Sequence, residues 1–154
     1  MTQQALRPTW SNYHSTVFGY LTLTRVHCKP TFESICALYK EVMANTKTVH
    51  SELGGGANGH LGLILSPRCY ALLSNSPYHC PHHLGQLVIP TDTMQHVACT
   101  MSDQHTERLR IFRAATRVEN ALKQQIKAAV EPQYIESLRD PYTGRSNGSI
   151  YEDI

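Results

Sequence analysis

The chain has 154 residues, with 14 Lys and Arg against 12 Asp and Glu, nine histidines and five cysteines. That length suits one domain able to bury a core without disulfide or metal staples, and the near-balanced charge excludes a strong overall field steering the protein to nucleic acid or membrane. No run approaches the ~20 consecutive apolar residues of a membrane span, and Met1 to Trp10 lacks the basic-then-apolar order of a signal peptide.

Cys28, Cys36, Cys69, Cys80 and Cys99 are odd in number and irregularly spaced, which argues against a secreted disulfide framework. A soluble, cytoplasmic chain with reduced thiols and no membrane partner is the expectation.

Residues 1–30 carry scattered aromatics (Trp10, Tyr13, Phe18, Tyr20) and a β-leaning run from Thr16 to Val26 that ends at Lys29-Pro30. The segment reads as an N-terminal arm or a strand. From Thr31, Phe32, Ile35, Tyr39 and Val42 recur at spacings of three and four, flanked by Cys36 and Met43, as one buried helical stripe requires. With Thr31 as N-cap, this predicts a helix over 31–47. Gly54, Gly55, Gly56 and Gly59 then mark a loop.

Leu61, Leu63 and Leu65 alternate with Gly62 and Ile64, and Gln86 to Ile89 is another short apolar run stopped by Pro90. The two could pair as a small β-hairpin, 61–65 with 86–89. Between them Ser66-Pro67 reads as the cap and first residue of a short helix containing Tyr70, Leu72 and Leu73.

The strongest periodicity lies later: Ile111, Ala115, Val118, Leu122, Ile126 and Ala129 advance by four, three, four, four and three before Pro132 stops the pattern. Starting near Ser102 or Asp103, such a helix has about 28 residues and a length of roughly 40 Å. Thr91 to Met101 also looks helical, but Gln104 and Arg108 interrupt the apolar stripe, so two helices meeting near Ser102 are expected.

Tyr134, Ile135 and Leu138 fit a short helix opened by Pro132, followed by a turn-rich loop over Asp140–Gly148. Ser149-Ile150-Tyr151-Glu152 has the form of a capping box. The sequence ends two residues after that box, inside what should be the first turn of a helix, which suggests a domain cut from a longer polypeptide. The expected architecture is mainly α, a small helical bundle with one long central helix, residues 1–30 forming an arm and 31–154 a single domain.

No complete catalytic signature is present. Tyr78-His79-Cys80-Pro81-His82-His83 holds ligand types that zinc prefers, but a zinc site needs a second tight pair. His60, Cys69 or His96 could complete a set only through folding, so a proline-rich surface loop is the plainer reading, and a metal-assisted enzyme built on His79, Cys80 and His82 is the weakest hypothesis. The glycine segment 54–60 lacks the Lys-Ser/Thr pair of a phosphate-binding loop and is not a dinucleotide fingerprint. No G-x-S-x-G elbow occurs. We therefore assign no catalytic residue, cofactor, metal or small-molecule substrate.

Arg110, Arg113 and Arg117 fall opposite the apolar stripe of the long helix, joined by Lys127 and nearly by Lys123, a basic strip that could touch phosphates. The bland alternative is a solvated helix face with Glu119 and Lys123 paired at i, i+4.

The order Phe112, Glu119, Ala121 and Ile126, then Tyr134-Ile135-Glu136-Ser137-Leu138, then Ser149 to Ile154, resembles the gag-like region of copia-type long-terminal-repeat retrotransposons. Lys29-Pro30-Thr31-Phe32, Glu41-Val42, Gly54-Gly55-Gly56, Gly59-His60-Leu61-Gly62-Leu63, Ser66-Pro67 and Leu87-Val88-Ile89-Pro90 resemble the opening portion of such proteins from protist elements. Two departures stand out: Phe112 occupies a position where that family commonly has tryptophan, and there is no C-x2-C-x4-H-x4-C knuckle.

The resemblance, over residues 29–154, implies the N-terminal lobe of a capsid protein that self-assembles as a homo-oligomer around element RNA. A structural, non-catalytic role is the expectation. A nucleic-acid-binding module using Arg110, Arg113, Arg117 and Lys127 is the alternative.

Overall fold

The computed structural model describes residues 18–54 and 56–136. Among them the chain is helical, in the order α1 (Phe32–Thr48), two single-turn 3-10 segments (Gly56–Asn58 and Leu61–Leu63), α2 (Pro67–Ala71), α3 (Gln95–Ala129) and α4 (Pro132–Ile135). The mainly α architecture with one long helix is as expected. Leu138, the Asp140–Gly148 loop and the Ser149–Glu152 capping box lie outside the described residues.

α1 begins where its cap dictates. The Thr31 hydroxyl accepts from the Ser34 N–H, and the Ser34 hydroxyl accepts from the Thr31 N–H, closing a reciprocal cap. Its buried face differs from the expected stripe. Phe32 is 80% exposed and Ile35 is exposed too, whereas Leu38, Val42, Asn45 and Thr46 are buried. The first turn overhangs the core, and two of the four buried positions are polar, so a reading by apolar periodicity misplaces the face.

α3 is a single helix of 35 residues, about 50 Å long, in place of two helices meeting near Ser102. Nothing between Thr91 and Glu131 breaks it, since that stretch holds neither glycine nor proline. Ser102 and Asp103 serve as interior residues. Ala115, Val118, Ala121, Leu122, Ile126 and Ala129 are buried, matching the expected stripe from Ala115 onward. They pack with Leu38 and Val42 of α1, with Leu63 and Ile64, and with Phe18, Leu23 and Val26 of the segment before α1. Removing one such side chain, as in Leu122→Ala, costs about 2–5 kcal/mol.

The segment 18–30 lies along the C-terminal end of α3. Val26 donates its N–H to the Ala129 carbonyl at 2.8 Å and forms an isolated parallel bridge with Val130. A buried amide pair fixes the same segment. Asn45 Oδ1 accepts from the Tyr20 N–H at 2.7 Å, and Asn45 Nδ2 donates to the Tyr20 carbonyl and to Gln125 Oε1, both at 2.9 Å. Gln125 Nε2 donates to the carbonyls of Tyr20 (3.0 Å) and Leu21 (3.2 Å).

The expected hairpin does not form. Leu61–Leu63 is a 3-10 turn, and 86–89 has no regular structure and is largely exposed. Alternation in 61–65 does not sort inward from outward residues, because Leu61, Leu63, Ile64 and Leu65 are all buried. Leu61 and Leu65 pack against Tyr70, while Leu63 and Ile64 join the main core. Gly62 is required here, since a Cβ would collide with the Tyr78 ring. Gly59 has φ +52°, and three carbonyls from the end of α1 crowd the place of its missing Cβ. α2 follows its expected start, with the Ser66 hydroxyl accepting from the Cys69 N–H and Pro67 in the first turn.

Replacing Asn45 by Leu should lower unfolding stability by about 2–4 kcal/mol, because Gln125 and the Tyr20 main chain lose partners inside the core. Chemical denaturation would measure it. A change below ~0.5 kcal/mol would mean the amide cluster is dispensable.

Candidate functional site

Two places concentrate polar chemistry. One is internal. His60 is buried, and its Nδ1 lies 2.9 Å from the Tyr78 hydroxyl. Its ring also bonds to the His50 main chain, and Tyr78 bonds to the Ser51 side chain. One bond to the His50 main chain and one to the Tyr78 hydroxyl suit a neutral ring whose Nδ1 accepts from the phenol. Burial is the largest cause that lowers the His60 pKa, and burial likewise pushes the Tyr78 phenol up. Tyr70 packs edge-on against Tyr78, ring centroids 5.6 Å apart.

Beside this cluster opens a cavity of about 80 Å³ lined by residues that include Ser51, His60, Arg110 and Ile111. It is far below the ~300 Å³ at which small-molecule sites begin. The cluster therefore joins the 50–62 loop to Tyr78 and, through Tyr78, fixes where the following segment leaves the core. Sequence reading singled out His60 as a conceivable metal ligand and as part of the glycine-rich stretch, not as a buried partner of Tyr78. Its role has no local signature, because its partners sit ten and eighteen positions away.

The His-Pro loop starts from that anchor. His79 donates its N–H to the Leu53 carbonyl at 2.9 Å, and the His83 ring stands edge-on to Phe112, centroids 5.4 Å apart. His83 Nδ1 also accepts from the Gly85 N–H. Cys80 has its thiol pushed up, first by burial and then by Glu119, which favours the protonated form. Among the described residues, no group of three or more His, Cys, Asp or Glu side chains is placed to hold a metal ion. The residues of that weakest hypothesis, His79, Cys80 and His82, thus lie on a strap, the irregular segment 79–94 between Tyr78 and α3; His79 bonds to Leu53, and the neighbouring His83 meets Phe112 of α3.

The second place is the surface of α3. Arg110, Arg113, Arg117 and Lys127 are all exposed. Arg110 is engaged, at 2.7 Å from Glu107 and 3.3 Å from Glu52, and its guanidinium holds the Glu107 carboxyl below the usual range. Among the described residues, Arg113, Arg117 and Lys127 have no ion pair. Lys123 lies 3.0 Å from Glu119, the expected i, i+4 pair. The basic strip is therefore three available cations on one rigid rod, with its fourth member neutralised.

Between Gln95 and Ala114, α3 contains no buried residue. Ala98, Met101, His105, Leu109 and Phe112 are half-buried at spacings of three and four, on the side where His83 of the strap meets Phe112. Leu84, Val88, Ile89, Met94 and Val97 are exposed on the strap and the first turn of the helix. None of the described helices is long and apolar enough to cross a membrane.

Protonating buried His60 breaks its acceptor role, so the lowered pKa makes stability greatest above the ordinary histidine value near 6.5 and lets it decline as pH falls below that value. Melting temperature measured from pH 8 to 5 should fall in the native chain. His60→Gln, which keeps a neutral polar group, should flatten the slope; an unchanged slope would remove His60 as its source.

Comparison of the chain with protein-family models, with curated proteins and with solved structures finds no match.

Proposed function

We propose that this chain is a non-catalytic structural domain that assembles with copies of itself, in the manner of a retrotransposon gag or capsid lobe, in the cytoplasm. The supporting observation is the division of α3. Its C-terminal part, from Ala115, is the spine of the core, while its first twenty residues, Gln95 to Ala114, hold no buried side chain and end beside an exposed apolar strap. A rigid rod projecting from a small core suits the weak, repeated contacts from which shells close by symmetry. The resemblance of residues 29–154 to gag-like proteins points the same way. All five cysteines are free, in keeping with a reducing compartment.

The test is sedimentation equilibrium over a wide concentration range. Weight-average mass should rise with concentration, as for a contact with Kd on the order of 100 µM. A mass fixed at that of one chain up to the solubility limit would remove the reading.

A second reading, RNA binding by the basic strip, draws on the exposure of Arg113, Arg117 and Lys127 and on their lack of ion pairs among the described residues. Changing the three to alanine should weaken binding to single-stranded RNA and reduce the slope of log K against log salt by about 2–3. Arg110→Ala should matter less, because Glu107 and Glu52 already hold that charge. Unchanged affinity in the triple variant would exclude this interface.

A further inference from the structure

The free end of α3 and the strap that precedes it carry apolar side chains that the described residues leave exposed. Val88 is 79% exposed and Met94 is 69% exposed, and Leu84, Ile89 and Val97 are exposed beside them in sequence. Together these side chains present on the order of 400 Å² of apolar area, comparable to the largest patch on an ordinary monomer and about half of what one partner buries in a standard interface. Used from both sides across a two-fold axis, such a patch suits a weak symmetric contact.

We propose that this surface seats a second copy of the same chain, the N-terminal parts of the two α3 helices packing antiparallel about an axis near Thr100. The inference rests on the self-assembly reading and adds to it the surface and the pairing. Val97, Thr100, Gln104 and Arg108 are exposed and succeed one another at spacings of three, four and four, which makes one continuous seam along the helix. The seam runs next to the half-buried row from Ala98 to Phe112, where His83 of the strap meets Phe112, and is itself exposed.

Charge selects the occupant. α3 starts without a side-chain cap and without an acidic residue in its first turn, so its own first turn leaves the positive end of its dipole uncompensated. Two to three turns further on stand Asp103 and Glu107, both exposed. Antiparallel pairing about Thr100 brings these carboxylates alongside the uncapped helix start of the second copy. The same register sets Arg108 beside the second copy's Asp92, and neither residue has an ion pair among the described residues. One surface thus contains both halves of its own complement, as a self-contact requires and a foreign partner does not. The geometry is also open: the buried core begins only at Ala115, about 20 Å along the helix from Thr100, so two bodies extending in opposite directions do not collide.

The test uses the full chain. Val88→Lys with Met94→Lys places charge at two side chains that are already in solvent, so circular dichroism and melting temperature should match the native chain. Its dimer Kd should rise at least about tenfold, a loss of about 1.4 kcal/mol. Leu72→Glu is the control, because Leu72 is 84% exposed but lies at the end of α2, and it should associate like the native chain. Thr100→Cys in a chain whose exposed Cys28, Cys69, Cys80 and Cys99 are replaced by serine, oxidised under mild conditions, should give a covalent dimer whose digest contains a 100–100 linked peptide.

Association that survives Val88→Lys with Met94→Lys, or that Leu72→Glu weakens equally, overturns the surface while leaving self-assembly in place. A native chain that stays monomeric, whatever else then binds Val88 and Met94, overturns both. Should the double variant misfold, the linked peptide decides: its absence from an associating Thr100→Cys chain overturns the antiparallel pairing.

Discussion

The structure depends on the contact between α1 and the C-terminal part of α3, and on the amide cluster that completes it. Leu38 and Val42 meet Val118, Leu122 and Ile126 through dispersion and the exclusion of water, which fixes that the two helices pack but says little about their register. Asn45 and Gln125 supply the register. Each is buried, each bonds to the other, and both bond to the Tyr20–Leu21 main chain. An axial shift of either helix would strand several donors and acceptors without water, at about 1–3 kcal/mol apiece. That penalty also holds Phe18, Leu23 and Val26 against the core.

A second constraint runs outward from the core. Gly59 turns the chain sharply at the end of α1, Gly62 admits the Tyr78 ring, and His60 and Ser51 bond to that ring's hydroxyl. Tyr78 is thereby the last anchored residue before the strap. From it the chain departs along α3, held by His79 to the glycine loop and by His83 to Phe112. Four features with no shared motif thus cooperate to place an apolar segment beside the free end of the longest helix. Packing and exposure are linked: the small core can cover only the part of α3 beyond Ala115, and the remainder is available for contact.

Much of this was legible from residue order. Thr31 and Ser66-Pro67 set helix starts because caps act within three residues, and the spacing from Ala115 to Ala129 marks the spine because a helix repeats every 3.6 residues. The misreadings share one cause, the use of apolar pattern where other forces decide. Leu61 to Leu65 alternates like a strand, yet it is buried all round in a tight turn. Gln104 and Arg108 interrupt a stripe without interrupting a helix, because backbone propensity continues it. Phe32 and Ile35 fit a periodic face that lies beyond the reach of the core.

Residue order by itself therefore determined the helical class, the cap of α1, the spine of α3, its stop before Pro132 and the Glu119–Lys123 pair, all consequences of contacts within a few positions. Tertiary structure alone decided the rest. It paired Asn45 with Gln125 and His60 with Tyr78, tied Arg110 to Glu52, and left Val88, Met94 and Val97 uncovered. Those outcomes join residues separated by up to 80 positions, or turn on which surfaces a finite core can reach, and no local spacing encodes either.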